Sequence, residues 1–196
     1  WLDASLGRLS GAQGETMTTN PDDLQRLLAA LSFAATRHKH QRRKDSDASP
    51  YINHPVALAN ILCNEGQVTD IQVLCAALLH DTLEDTDTST DELQALFGWE
   101  VRDIVVEVTD DKSLPKAERK RLQVERAAAI SDPAKLVKLA DKISNLRDVA
   151  DCPPPDWSLQ RRQAYFDWSR DLVDRLRGVH PQLEAVFDAA YARRPR

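Results

Sequence analysis

The sequence predicts an all-α, single-domain, multi-helix protein. Apolar residues recur at helical spacing along most of the chain, as in Leu24, Leu27, Leu28 and Leu31. Caps and proline or glycine stops divide these stretches into eight or nine helices of ordinary length. No run alternates as a half-buried strand would, and no motif repeats at a fixed period. For 196 residues, one core is the simplest arrangement.

Each element has its own signal. Residues 1–16 carry Gly and Ser without a clear period, and the chain's only Met follows at position 17. They read as an upstream extension, either a flexible arm or a cloning scar, with the domain at 17–196. Asn20-Pro21-Asp22-Asp23 supplies a cap, a proline at the first helical position and acids in the first turn. A basic loop follows through "RHKHQRRKDSDASPYIN". A second helix starts near His54-Pro55 and ends at Gly66, and a third runs from about Asp70 into "ALLHDTLEDTD". "STDE", Ser89 to Glu92, is a capping box that opens a short helix closed by Gly98. "EVRDIVVEV" is helical. A strongly charged helix starts after Ser113-Leu114-Pro115, and another after Asp132-Pro133. "CPPPDW" interrupts, because proline cannot continue a helix. A helix from Ser158 to Arg177 closes at Gly178, and "PQLEAVFDAAYA" is the last.

Composition narrows the function. A formal net charge of −5 argues against a protein that coats nucleic acid, while leaving room for a small anionic ligand held by a few local cations. The three cysteines, Cys63, Cys75 and Cys152, form no C-x-x-C pair, so neither a disulfide framework nor a zinc knuckle is expected. Cys63 and Cys75 read as buried small hydrophobes and place the chain in a reducing compartment, the cytoplasm. The apolar run "VLCAALL" is too short to span a bilayer, and no signal peptide is visible. His38, His40 and His180 read as surface residues, and Trp99 and Trp157 as packing.

The chemistry concentrates in "ALLHDTLEDTD", where an apolar run gives way to His80, Asp81, Glu84 and Asp85. Adjacent helical side chains diverge by roughly 100°, yet His80 and Asp81 can both reach an ion lying between them. His54 in "PYINHP" and Asp141 in "KLADKISNLRDV" complete two imidazole nitrogens and two carboxylates. That set suits Mn²⁺, Fe²⁺ or Zn²⁺ with open positions for water. Glu84, three residues beyond Asp81 on the same helix, is placed to orient a metal-bound water and take its proton.

Each residue alone has a plainer reading. An HD dipeptide ends many helices, "EDTDTSTDE" is an acidic loop, His54 precedes a helix-starting proline, and Asp141 can pair with Lys138 or Lys142. The apolar neighbours shift the balance. Leu78 and Leu79 precede His80, and Val137, Leu139 and Ala140 precede Asp141. Carboxylates on inward-leaning faces call for a cation.

Four segments, "RRKDSDASPYINHP", "ALLHDTLEDTDTS", "EVTDDKSLPKAERKRLQ" and "KLVKLADKISNLRDV", resemble the hydrolase domains of RelA/SpoT homologues. Among these they are most similar to the stand-alone small alarmone hydrolases, a type that includes the metazoan SpoT homologues. The resemblance spans about Leu24 to Tyr191 and implies the HD-domain fold. It also implies Mn²⁺-dependent hydrolysis of the 3′-diphosphate of ppGpp or pppGpp to GDP or GTP plus pyrophosphate, in stringent-response shut-off. It places His54, His80, Asp81 and Asp141 as metal ligands and Glu84 and Asp85 as the catalytic pair. Arg43, Lys44, Tyr51, Lys116, Asn145, Arg161 and Tyr165 become the substrate-binding candidates, with Tyr165 equally readable as core and Arg42 as solvated. Lys112 is the weaker phosphate-binding candidate beside Lys116. The partner implied is a small nucleotide, with neither nucleic acid nor membrane, and the oligomeric state stays open. Two other readings fit the same residues: a phosphatase acting on the 2′-phosphate of NADPH, and a non-catalytic ppGpp-binding regulator.

Overall fold

The computed structural model describes residues 20–196. The extension at 1–16 therefore lies outside the described residues. Among the described residues ten α-helices run in order: α1 Pro21–Arg37, α2 Asn53–Asn60, α3 Ile71–Leu79, α4 Thr82–Asp85, α5 Thr90–Phe97, α6 Trp99–Val108, α7 Lys116–Arg126, α8 Asp132–Asp151, α9 Leu159–Val173 and α10 Pro181–Tyr191. A π-helical turn, Ile61–Glu65, extends α2 to Gly66. Apart from one antiparallel bridge between Arg42 and Pro50, the described residues form no strand.

The caps read from sequence set the boundaries. Asn20 accepts from the Asp22 amide at 3.1 Å, Ser89 from Glu92 at 3.1 Å and Ser158 from Arg161 at 3.2 Å. Only half of the expected capping box forms, because the Glu92 carboxylate turns to Arg37. Gly98 has φ +91°, which closes α5 in a conformation that side chains rarely adopt. The helix expected to reach Arg177 stops at Val173 and finishes in turns.

Two helices organise the core. In α3 every residue from Val73 to Leu79 is buried, and the helix packs on α1, α2, α6 and α8. The longest helix, α8, runs beneath α2, α3, α6, α9 and α10. The site's side chains come from the ends or middle of these elements, so core packing fixes their positions.

Three expectations need correction. Cys63 is exposed on the π-helical turn, although Cys75 is buried in α3. His38 is 2 % exposed, because its ring packs 4.9 Å from that of Tyr51 while its Nδ1 lies 2.7 Å from the Gln41 side-chain oxygen. Trp99 is 60 % exposed at the start of α6, outside the packed face.

Candidate active site

The HD dipeptide sits on a break. α3 ends at Leu79, and Asp81 takes φ −99° and ψ 0° before α4 restarts at Thr82. The expectation of one continuous helix through Glu84 is thus overturned. Side chains satisfy backbone groups freed by the break: the Thr82 hydroxyl donates to the Leu79 carbonyl at 2.7 Å, and His80 Nδ1 lies 2.8 Å from the Ala77 carbonyl. The local restart still directs Glu84 and Asp85 into the basin lined by His80 and Asp81.

Donor atoms of His54, His80 and Asp81 all lie within 4.8 Å of one another. Asp141, from the middle of α8, brings Oδ1 to 3.2 Å from His54 Nε2. A carbonyl can only accept, so His80 Nδ1 carries the proton towards Ala77. In the neutral ring, Nε2 then presents a lone pair to Asp81 Oδ2 at 2.9 Å, and this buried atom has no hydrogen-bond partner. A nitrogen lone pair facing a carboxylate asks for a cation between them, and the two-imidazole, two-carboxylate set fits a divalent metal.

The charges respond accordingly. Burial favours neutral His80, but Asp81 outweighs it and holds the imidazole pKa above its ordinary value. Burial instead wins at His54 and lowers it. Burial opposes ionisation of Asp81 and Asp141, yet His80 beside the first, and Lys142 with His54 beside the second, keep both below the usual carboxylate range. The Tyr51 hydroxyl donates to Asp81, Asn145 donates to Asp141 at 2.5 Å, and His54 Nδ1 lies 3.3 Å from the Ser144 hydroxyl. Such outer contacts orient the donor set.

Glu84 accepts from Arg119 at 3.2 Å and from the Asp110 amide at 3.4 Å. Burial, then the charges of Asp81 and Asp110, hold its carboxyl above the usual range. Asp85 forms an ion pair with Lys112, and its carbonyl accepts from Gln41 at 2.6 Å.

A cleft of about 430 Å³ opens beside this basin. All seven residues expected to bind substrate line it: Arg43, Lys44, Tyr51, Lys116, Asn145, Arg161 and Tyr165. Arg43, Tyr51, Asp85 and Asn145 line both spaces and join them. Arg43 donates to Asn145 at 3.2 Å, pairs with Asp148, and lies 5.8 Å from the Tyr51 ring centroid. Tyr165 both lines the cleft and packs on the core. Sequence reasoning missed Lys120 and gave Trp157 to packing alone, although both line this cleft. The position of Lys120 one helical turn after Lys116 was the available signal. It also missed Lys138 and Lys142 as basin residues; Lys142 reaches Asp141 at 2.7 Å.

The HD-domain family profile matches residues 30–165, and the chain belongs to that family. Within it, the chain is 57% identical over 166 residues to guanosine-3′,5′-bis(diphosphate) 3′-pyrophosphohydrolase MESH1 of Xenopus tropicalis, covering 85% of this chain and 93% of that protein. It is 56% identical to MESH1 of Homo sapiens, covering 86% of this chain and 94% of that protein. A solved structure of a metazoan ortholog of SpoT, described as hydrolysing ppGpp, superposes with a TM-score of 0.86 at 48% identity, covering 90% of this chain and 98% of that one.

Proposed function

We infer that this chain is a guanosine-3′,5′-bis(diphosphate) 3′-pyrophosphohydrolase, releasing pyrophosphate from the 3′ position of ppGpp or pppGpp. The observation that carries the reading is a buried His54–His80–Asp81 donor set, with Asp141 beside it, opening into a cleft lined by Arg43, Lys44, Lys116 and Arg161. Its MESH1 relatives carry the name of that activity. An anionic nucleotide needs such cations for binding, and phosphate-ester hydrolysis needs charge stabilisation at the reacting phosphorus.

His54, His80, Asp81 and Asp141 would hold a divalent ion, which we take as Mn²⁺. When bound, it supplies positive charge and a lowered water pKa. The chain's own residues do the rest. Glu84 orients the attacking water and accepts its proton, aided by a site whose burial and neighbouring charges already favour the protonated carboxyl. The water oxygen bonds to the phosphorus next to the ribose 3′-oxygen, the bond to that oxygen breaks, and a proton restores the 3′-hydroxyl. Asp85, held by Lys112 and through its backbone by Gln41, borders both basin and cleft and orients the reacting group or passes that proton. Arg43 and Asn145 stand where the two spaces meet and position the nucleotide.

Within the described residues no helix is long and apolar enough to cross a membrane. The deciding experiment measures pyrophosphate release from ppGpp with Mn²⁺, after chelation, and beside NADPH as competing substrate. Mn²⁺-dependent release supports the reading. Phosphate from NADPH without pyrophosphate from ppGpp keeps the metal site and overturns the substrate. Binding of ppGpp without turnover leaves a regulator, a reading opposed by the presence of both Glu84 and Asp85 at the basin.

A further inference from the structure

The catalytic pair stands on very little helix. α4 is a single turn, Thr82–Asp85, between the break at Asp81 and the extended Thr86. The Asp85 amide donates to the Asp81 carbonyl at 2.9 Å and the Thr86 amide to the Thr82 carbonyl at 3.1 Å. One turn is too short to be stable by itself, and its last carbonyls lack intrahelical donors. The buried Thr82 anchors its start. At its end the Asp85 carboxylate pairs with Lys112, whose side chain is half exposed, so solvent weakens the pair.

Gln41 supplies a firmer hold. From the loop after α1, its side-chain N–H donates to the Asp85 carbonyl at 2.6 Å. A carbonyl only accepts, so the amide nitrogen faces Asp85 and the amide oxygen faces the other way. That oxygen lies 2.7 Å from His38 Nδ1, which therefore carries the proton. His38 is itself buried, with its ring 4.9 Å from that of Tyr51. The Gln41 amide is thus fixed at both ends and cannot flip without losing both bonds.

The same residue closes the loop. Its backbone N–H donates to the His38 carbonyl at 2.9 Å, and its carbonyl accepts from the Tyr51 amide at 3.2 Å. Two residues on, the Arg43 amide donates to the Ser49 carbonyl at 2.8 Å. Gln41 therefore joins the loop that presents Arg43 and Tyr51 to the turn that presents Asp85. We propose that Gln41 is a positioning residue: by holding the Asp85 carbonyl, it sets the Asp85 carboxylate in the frame of the loop that positions the nucleotide. This rests on the hydrolase reading above.

The test compares Gln41→Met and Gln41→Glu in the full chain, with ppGpp and Mn²⁺. Methionine keeps the length and loses both side-chain bonds. Glutamate keeps an acceptor for His38 and loses the donor to Asp85. Both should lower kcat about tenfold, the worth of one hydrogen bond, with KM and bound Mn²⁺ within about twofold of wild type. In an Asp85→Asn background, read in single turnover, the same two changes should alter the rate less than about twofold, because the residue they act through is already disabled. Amide exchange at Asp85 and Thr86 should quicken about tenfold in both variants, while exchange within α3 stays as in wild type. An unchanged kcat, a loss confined to KM, wild-type kcat in Gln41→Glu, or the full loss repeated in the Asp85→Asn background overturns the proposal. Exchange separates the two readings. If wild type releases no pyrophosphate yet exchange at Asp85 and Thr86 quickens in Gln41→Met, the hydrolase reading fails and the hold on α4 stands. Unchanged exchange at these residues in a folded Gln41→Met variant overturns the hold.

Discussion

Replacing Glu84 with glutamine tests the water-activating role with little change in shape. Arg119 donates to Glu84 Oε1 at 3.2 Å and the Asp110 amide to Oε2 at 3.4 Å, so the single glutamine oxygen keeps the Arg119 contact and gives up the longer one. What disappears is the proton acceptor. A positioned general base contributes about 10²- to 10⁴-fold, so we expect kcat to fall about 10³-fold, or about 4 kcal/mol in the barrier. Stability should hardly move. Burial, Asp81 and Asp110 disfavour the Glu84 charge in the fold, so neutralising it offsets the lost ion pair with Arg119. The net effect should stay within about 1 kcal/mol, or about 4 °C in Tm. Pyrophosphate release would give kcat, elemental analysis the bound metal and calorimetry the Tm. Turnover within threefold of wild type would refute the assignment to Glu84. Loss of metal from a folded variant would make Glu84 part of the donor set instead.

Metal removal and two substitutions probe the frame around that chemistry. A divalent ion that binds only the folded donor set at 100 times its Kd should stabilise the chain by about 2.7 kcal/mol, or about 5–10 °C in Tm. Chelation should remove that gain and Asp141→Asn should shrink it, both readable by scanning fluorimetry. A Cβ at Gly66 would lie 2.7 Å from Leu183 Cδ2 and 2.8 Å from the Leu62 carbonyl, so Gly66→Ala should cost about 2 kcal/mol in urea unfolding. Arg147 grips Glu65 at 2.6 and 2.8 Å and, by that hydrogen bonding, lowers its pKa below the ordinary 4.5. A lowered folded pKa gives stability that is present above the unfolded value and is lost as pH falls through the folded one. The half-exposed pair limits Glu65→Gln to about 0.5–1 kcal/mol near neutral pH, and the difference should fade as pH falls below 4.5.

Helix existence was legible because its signals are local. Asn20, Ser89 and Ser158 cap the helices that they were read to start, and Gly98 takes the positive φ that its position suggested. The break at Asp81 was not legible, since "LLHDTLED" has no proline or glycine to announce it. There side-chain bonds from Thr82 and His80 to the backbone offset the lost helical ones. The π-helical turn after α2 was equally silent, because apolar periodicity does not register one inserted residue clearly. The cleft residues read by resemblance converge on one space, whereas Lys120 and Lys142 escaped because a lysine in a charged or polar helix is usually solvated.

The break also explains why the dipeptide stands at the end of the most buried helix. A continuous α-helix would place side chains at successive angles of roughly 100° and carry Glu84 onward along the α3 axis. Ending α3 at Leu79 lets the core fix His80, while the Asp81 backbone turns the chain so that Asp81, Glu84 and Asp85 line one basin. His54 arrives from the first turn of α2 and Asp141 from the middle of α8, both packed on α3 or directly beside it. Three elements that share one core thus bring two imidazoles and two buried carboxylates together, and a cation offsets the cost of burying the carboxylate charges. The apolar packing of α3 and α8 holds these groups in place. An ion held by His80 and Asp81 should tether the break, so amide exchange at Leu79 to Thr82 should slow on adding Mn²⁺ more than exchange within α10, which packs on α8 and the π-helical turn.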